Sequence, residues 1–289
     1  MSKPIAVGVD GSDQGTAAAH YAAALAVRRG APLRLIYVFE TLYYGLGPMF
    51  ATGGYGVAEE HLRTAAQQTL DEITDRISAA HPDLEVEPRM REGGAAAVLI
   101  AETQESAVTV VGSRGLGGFA ELVIGSVSAQ VSAHAHNPVI VFRPPHAEHG
   151  PVLVGYDGSD PAKAALQFAV QEALSQGVPL VVANAYWPQP WGFGETPVPD
   201  PNVTAAHDAE ALVDAAVAPY RKKHSQLQVE TRTIHSLNPE HSLIEESKHA
   251  RLTVIGSRGR GGFTGLLLGS VSQALVHHAA GPVAVVHSG

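Results

Sequence analysis

The sequence predicts an α/β chain made of two tandem, doubly wound domains, each a five-stranded parallel sheet with helices on both faces. Three observations carry this prediction. Short β-branched runs alternate with alanine-rich stretches of helical length along the 289 residues, a pattern of strands joined by right-handed helical crossovers that leaves the strands parallel. The pattern occurs twice: Gly8-Val-Asp10-Gly-Ser-Asp13 returns as Gly155-Tyr-Asp157-Gly-Ser-Asp160, and Asn137-Pro-Val-Ile-Val-Phe142 as Gly281-Pro-Val-Ala-Val-Val286. Within each copy a glycine-rich signature follows a β-branched run, Gly112-Ser-Arg-Gly115 with Gly125-Ser126 in the first and Gly256-Ser-Arg-Gly259 with Gly269-Ser270 in the second. Such a repeat fixes the organisation before any residue-level reading.

Taken in order, Ile5 to Val9 reads as the first strand and Gln14 to Arg29 as an alanine-rich helix closed by Gly30. Leu33 to Phe39 is the second strand. A Gly/Tyr loop runs to about Val57, and a helix from Ala58 to Ala80 stops before His81-Pro82. Leu84 to Met90 is the third strand, Ala95 to Glu102 a helix, Val108 to Val111 the fourth strand. After the glycine loop, Ser126 to Ala135 forms the last helix and Val139 to Phe142 the fifth strand. The second copy repeats this, with strands near Val152–Gly155, Leu180–Ala185, Val229–Thr233, Leu252–Ile255 and Val283–Val286. The expected domains are 1–145 and 150–289, divided by an aperiodic Pro/His/Glu stretch.

Composition narrows the function. Cysteine is absent, which removes disulfides, thiolate metal sites and cysteine nucleophiles. A net charge of −9 argues against nucleic acid or anionic membrane as a partner, since both demand a basic footprint. No apolar run approaches the length of about 18 residues that a membrane span needs. The first residues enter a strand pattern at once, leaving no room for a secretory leader, so a cytoplasmic location is expected.

In open parallel sheets, ligands sit beyond the carboxyl ends of the strands, where the strand order reverses. Asp10 and Asp157 end the first strands and the glycine loops follow the fourth, so neighbouring strands would bring them to one crevice. Glycine allows close backbone approach, and successive N–H groups in such a turn form an anion-binding concavity; two phosphate cradles are expected. Asp160 precedes Pro161 and reads as a helix N-cap, with Asp13 matching it. That leaves Asp10 and Asp157 for a ligand or metal role, or for stabilising the turn. Ser126 and Ser270 read as N-caps that can also bind phosphate at a helix N-terminus. Arg114 and Arg258 either pair with phosphate or stay solvated.

Competing motifs are weak. Gly115-x-Gly117-x-x-Ala120 is near a dinucleotide fingerprint, but Thr264 breaks it in the second copy. No Gly-Lys-Ser/Thr phosphate loop and no Gly-x-Ser-x-Gly elbow occurs. The 15 histidines lack metal-ligand spacing. Two loops after the second strands carry Tyr43, Tyr44, Phe50 and Tyr55, then Trp187, Trp191 and Phe193; they read as lids, subunit contacts or ordinary loop packing.

Strand-Asp-Gly-Ser, Gly-x2-Gly-x9-Gly-Ser and a closing Pro-Val-x-Val strand together resemble the ATP-binding branch of the universal stress protein family, in its tandem form, over nearly the whole chain. The resemblance implies a sheet order of 3-2-1-4-5, ATP in each domain, and magnesium at Asp10 and Asp157. Gly8 and Asp10, with Gly155 and Asp157, would line the floor beside adenosine, and Val38 and Ala185 would offer backbone contacts to adenine. The candidate ribose- and phosphate-binding set is each loop and the turn after it. In the first copy these are Gly112, Ser113, Arg114, Gly115, Leu116, Gly117 and Gly118, then Gly125, Ser126 and Val127. In the second they are Gly256, Ser257, Arg258, Gly259, Arg260, Gly261 and Gly262, then Gly269, Ser270, Val271 and Ser272. The family further implies fifth strands that pair across domains, a homodimer, and an unidentified regulatory protein partner.

Phosphoryl transfer needs a positioned base and cations on the γ-phosphate, and the loops offer only Arg114, Arg258 and Arg260. Together with the resemblance this favours a nucleotide-dependent regulator of stress survival or growth, with slow hydrolysis at most. The alternatives are a hydrolase or transferase of the adenine-nucleotide α-hydrolase-like group, and a structural or partner-binding duplicate whose pockets are vestigial, against which the intact glycines of both copies count.

Overall fold

The computed structural model describes residues 2–40, 54–116, 124–187, 201–260 and 267–288. The chain divides into two compact units, Met1–Arg143 and Pro144–Gly289. The first contains β1 (Ile5–Val9), α1 (Asp13–Arg29), β2 (Leu33–Phe39), α2 (Gly54–Ala80), β3 (Val86–Glu92), α3 (Ala95–Glu102), β4 (Val108–Gly112), α4 (Ser126–His134) and β5 (Val139–Phe142). The second repeats it as β6 (Val152–Gly155), α5 (Asp160–Gln176), β7 (Leu180–Tyr186), α6 (Pro201–Lys223), β8 (Val229–His235), α7 (Pro239–Ser247), β9 (Leu252–Gly256), α8 (Ser270–His278) and β10 (Val283–Val286).

Within the first unit the strands run parallel in the order β3-β2-β1-β4-β5, and within the second in the equivalent order β8-β7-β6-β9-β10. This is the expected order, and it puts the reversal point between β1 and β4, and between β6 and β9. The central strands are apolar on both sides because helices cover both faces; Ile5, Val7, Leu33, Leu35, Val108 and Val110 are all fully buried. Helix α1 lies close on β1 and β4 because its buried stripe is small: Ala18, Ala19, Ala22, Ala23 and Ala26 recur at helical spacing.

Helix ends follow local chemistry, with one correction to the sequence reading. The N-caps are Ser12 and Ser159, whose hydroxyls accept from Gly15 N–H and Ala162 N–H, while Asp13 and Asp160 are the first helical residues. Both helices end on a left-handed glycine, Gly30 with φ 57° and Gly177 with φ 63°. Strand β3 starts two residues later than the apolar run suggests, since Leu84 N–H donates to His81 C=O and closes a turn first. Pairing therefore runs from Leu33 with Val86 to Phe39 with Glu92.

Helix α3, which walls the candidate site, is held by a buried ion network. Arg34 of β2 donates to Glu102 at 3.0 Å and to Glu87 at 3.1 Å, and Arg91 of β3 reaches Glu102 at 3.2 Å. Burial pulls the Arg34 guanidinium down, but the hydrogen bonds and charge of Glu102 and Glu87 outweigh it and leave its pKa raised. Removing one member strands a buried charge. Glu102→Ala is expected to lower unfolding free energy by about 2–3 kcal/mol, discounted because Glu87 and Glu105 remain beside Arg34. Urea denaturation checks this; an unchanged midpoint contradicts it.

Candidate functional site

The carboxyl ends of β1 and β4 open onto a cleft of about 470 Å³. Its floor and walls are apolar: Val9 of β1, Ile36 and Val38 of β2, Ala95 and Leu99 of α3, and Val111 of β4. Its rim is the loop Gly112–Leu116 with Gly125, Ser126, Val127 and Ser128. The volume falls in the range of small-molecule and cofactor sites, roughly 300–1,000 Å³.

Asp10 holds this rim together. Its Oδ1 accepts from Ser12 N–H at 3.0 Å and Ser12 Oγ–H at 2.6 Å, and its Oδ2 accepts from Leu116 N–H at 2.9 Å. Asp157 does the same with Ser159 N–H at 3.0 Å, Ser159 Oγ–H at 2.6 Å and Arg260 N–H at 2.9 Å. The aspartates thus do the turn-stabilising work that was one of the two roles expected of them. Each carboxylate orients the serine that caps the following helix and ties down the glycine loop. The intervening Gly11 and Gly158 sit at φ 84° and 82°, a conformation L-residues rarely adopt.

The steric reason for the loop glycines follows. A Cβ on Gly115 would overlap Asp10 Oδ2, and one on Gly259 would lie 2.6 Å from Asp157 Oδ2. A Cβ on Gly112 would lie 3.2 Å from the Gln14 backbone, and one on Gly256 2.6 Å from that of Pro161. A Cβ on Gly8 would lie 2.7 Å from Leu99 Cδ1 of α3, and one on Gly155 2.7 Å from Ile255 Cδ1 of β9 and 3.2 Å from Leu243 Cδ1 of α7, side-chain ends that would have to shift. These glycines let backbone, carboxylate and helix approach one another.

The helices that open beyond the loops have no side-chain cap. Their N-caps are Gly125 and Gly269, and Ser126 and Ser270 are the first helical residues, which corrects the expectation that these serines cap. Gly125 N–H and Gly269 N–H instead donate to Ser113 C=O and Ser257 C=O at 2.8 Å, closing each loop end to end. Ser128 and Ser272 are equivalent and buried, with hydroxyls donating to Gly112 C=O and Gly256 C=O at 2.6 and 2.7 Å; Ser272 braces its loop from behind.

Ser113 and Ser257 are buried as well, while Arg114 lines the first cleft. Ser113 N–H donates to Phe142 C=O at 2.8 Å, extending the β4–β5 ladder and bringing Arg143 beside the loop. Burial, and then the charge of Arg114, pulls the Arg143 pKa down. Tyr37 is pushed up by burial and by Asp10. In the second unit Ala185 occupies the half-buried position that Val38 holds in the first, and Val271 follows Ser270 as Val127 follows Ser126.

Gly117, Gly118, Gly261 and Gly262 lie outside the described residues, as do the side chains of Tyr43, Tyr44, Phe50, Tyr55, Trp191 and Phe193. Trp187 stacks on His235, with centroids 5.0 Å apart and planes 10° from parallel. His134 Nδ1 is engaged with Gln130 C=O, and the described residues contain no cluster of three metal-ligating side chains. None of the described helices is long and apolar enough to cross a membrane. The sequence reading missed Ser128 and the apolar lining of Val9, Ile36, Ala95, Leu99 and Val111, and also Gln14, whose Oε1 accepts from Ser113 Oγ–H at 2.5 Å and Arg114 N–H at 3.1 Å. No local signal marks Gln14, because its partners lie about a hundred residues away in the chain.

A doubly wound sheet with a glycine loop and a helix N-terminus at its reversal point, present in both units, defines a tandem, duplicated α/β protein. The chain belongs to the universal stress protein family, whose model matches residues 1–143 and again 149–287. It is 34% identical over 289 residues to a universal stress protein of Mycolicibacterium smegmatis, covering 98% of this chain and 96% of that one. A Mycobacterium tuberculosis universal stress protein is 32% identical, with 99% of each chain covered. Among solved structures, a universal stress protein from Archaeoglobus fulgidus superposes with a TM-score of 0.72 at 20% identity, covering 99% of this chain and 96% of that one; it shares the fold.

Asp10→Asn tests the tie between strand and loop. Asparagine keeps one acceptor oxygen but sets an N–H donor against either Ser12 or Leu116. Loss of a charge-assisted hydrogen bond, worth about 1.5–3 kcal/mol, is expected to speed amide exchange at Leu116 by roughly tenfold or more while the β1 amides are unmoved. Unchanged exchange at Leu116 rules the tie out.

Proposed function

We propose that the chain is an ATP-binding regulator, holding one adenine nucleotide in each domain and passing that occupancy to a protein partner that governs growth or survival under stress. The observation that carries this reading is the pinned glycine loop. Its backbone faces a cleft with an apolar floor for a base, and it adjoins a helix N-terminus whose N-cap, Gly125, has no side chain to compete for the first-turn N–H groups. An anion there is favoured by the helix dipole and by the Arg114 charge. The apolar strip of Ile36, Val38, Ala95 and Leu99 suits a flat heteroaromatic ring, and Val38 main chain supplies hydrogen-bonding groups at the strand end.

Magnesium fits Asp10 in one way. A carboxylate has about four lone-pair positions, and Asp10 already accepts three hydrogen bonds. One position remains, so the ion would arrive with the phosphates and keep water as most of its shell, as Mg²⁺ commonly does in nucleotide sites. Asp157 has the same three bonds and the same single opening.

The cleft lining argues for binding over turnover. Among the described residues its ionisable members are Asp10 and Arg114, and Asp10 is engaged in holding the loop, so no free carboxylate or imidazole of the described lining is placed to activate water. This favours a module that reports nucleotide occupancy above an efficient hydrolase.

The test is to purify the protein without added nucleotide, denature it, and count released nucleotide by mass spectrometry. About two adenine nucleotides per chain, chiefly ATP, are expected. Gly115→Ala, which drives Cβ into the Asp10 carboxylate, should leave one; the pair with Gly259→Ala should leave none, with the circular dichroism spectrum unchanged. An empty protein that also ignores added ATP would sink the reading, and a double variant that binds normally would sink the cradle.

A further inference from the structure

The two loops are not held alike. Both are tied to the strand-end aspartate, but the first has a second tie in Gln14, at the second position of α1, whose Oε1 accepts from Ser113 Oγ–H and Arg114 N–H. The equivalent position in α5 is Pro161, which has no side-chain acceptor. Among the described residues the nearest substitute is Ser159 Oγ, 3.4 Å from Arg258 C=O. A serine hydroxyl has one proton, and that of Ser159 is committed to Asp157 at 2.6 Å, so this contact does not replace the amide. Arg260 does not replace it either: its guanidinium sits over Gly158 on the side of Leu212 of α6, whereas the wall of the first cleft is α3, whose counterpart is α7.

We propose that Gln14 is a positioning residue that presets the first glycine loop, so that the two nucleotide sites are unequal and the first binds more tightly. This rests on the nucleotide reading of both clefts. Fixing a loop before the ligand arrives removes ordering entropy from the binding step. The residue fixed is Arg114, at the point where its N–H and side chain would meet phosphate. The second loop keeps the carboxylate tie and must order Arg258 on binding.

The full chain allows two readouts. Without nucleotide, the amide of Arg114 should exchange about tenfold more slowly than that of Arg258, and Gln14→Pro should abolish the difference. Proline is tolerated there, since α5 carries it at the same helical position; Gln14→Leu provides a second variant of similar reach without the acceptor. With ATP titrated calorimetrically, the first site is read in a Gly259→Ala background and the second in a Gly115→Ala background. Gln14→Pro should weaken the first site about tenfold, and Pro161→Gln should tighten the second several-fold. Equal exchange at Arg114 and Arg258, or an ATP affinity of the first site unmoved within twofold by Gln14→Pro and Gln14→Leu, overturns the proposal. ATP binding at neither site of the unaltered chain overturns the nucleotide reading and the affinity order with it. Because the exchange contrast is read without nucleotide, that failure is distinguishable from failure of the Gln14 tie.

Discussion

A single carboxylate at the end of the first strand joins the parts of the cleft. Asp10 accepts three hydrogen bonds from two places, Ser12 at the start of α1 and Leu116 in the loop after β4, the latter 106 residues from Asp10 in the chain. Ordering a residue costs about 1–2 kcal/mol of backbone entropy, so a loop of several residues does not stay in one shape without strong contacts. Charge-assisted hydrogen bonds contribute about 1.5–3 kcal/mol each, which is the scale needed to hold two or three residues. The neighbouring glycines follow from this tie: Gly115 because Oδ2 of the carboxylate fills the space a Cβ would take, and Gly11 because the chain must turn sharply to present Ser12 N–H to Oδ1.

The same tie resolves an electrostatic difficulty. For the proposed nucleotide reading, a net charge of −9 and an aspartate at the mouth of the cleft are at first sight unfavourable. Asp10 has its charge spread over donors from Ser12 and Leu116, so the carboxylate is answered locally. Arg114 and the neighbouring Arg143 add positive charge at short range, and the depressed Arg143 pKa reflects its burial and their mutual repulsion. Local donors set this site, whereas the overall field disfavours extended polyanions, which would meet the rest of the surface.

The large features were legible in sequence because they are periodic or repeated. Strand–helix alternation, both copies and the position of the glycine loops could be read from residue type and spacing, since apolar runs and glycines act locally. Caps were less legible: Ser12-Asp13 offers two good N-cap residues in succession, and what selects Ser12 is the carboxylate of Asp10 holding its N–H and Oγ–H. The same ambiguity shifted Ser126 by one place, because Gly125 caps without a side chain. The start of β3 depended on a backbone bond from Leu84 to His81 that no side-chain pattern encodes. Gln14 was invisible for a plainer reason: its partners Ser113 and Arg114 are distant in the chain, and nothing about a glutamine at a helix start announces them.

The two units show which contacts a duplicated scaffold can exchange. The main-chain frame around each loop is the same to within a tenth of an ångström in the aspartate ties, because those bonds and the glycine shapes require one another. The supports behind the frame differ. Where Arg34 and Glu102 pin α3 to β2, the second unit has Val181 in place of the arginine and pins α7 to β8 through Arg232 and Glu246. Where Gln14 braces the first loop, Pro161 stiffens only its own helix. Backbone and carboxylate geometry is therefore the part that both units keep, and the side chains behind it are the part that they exchange.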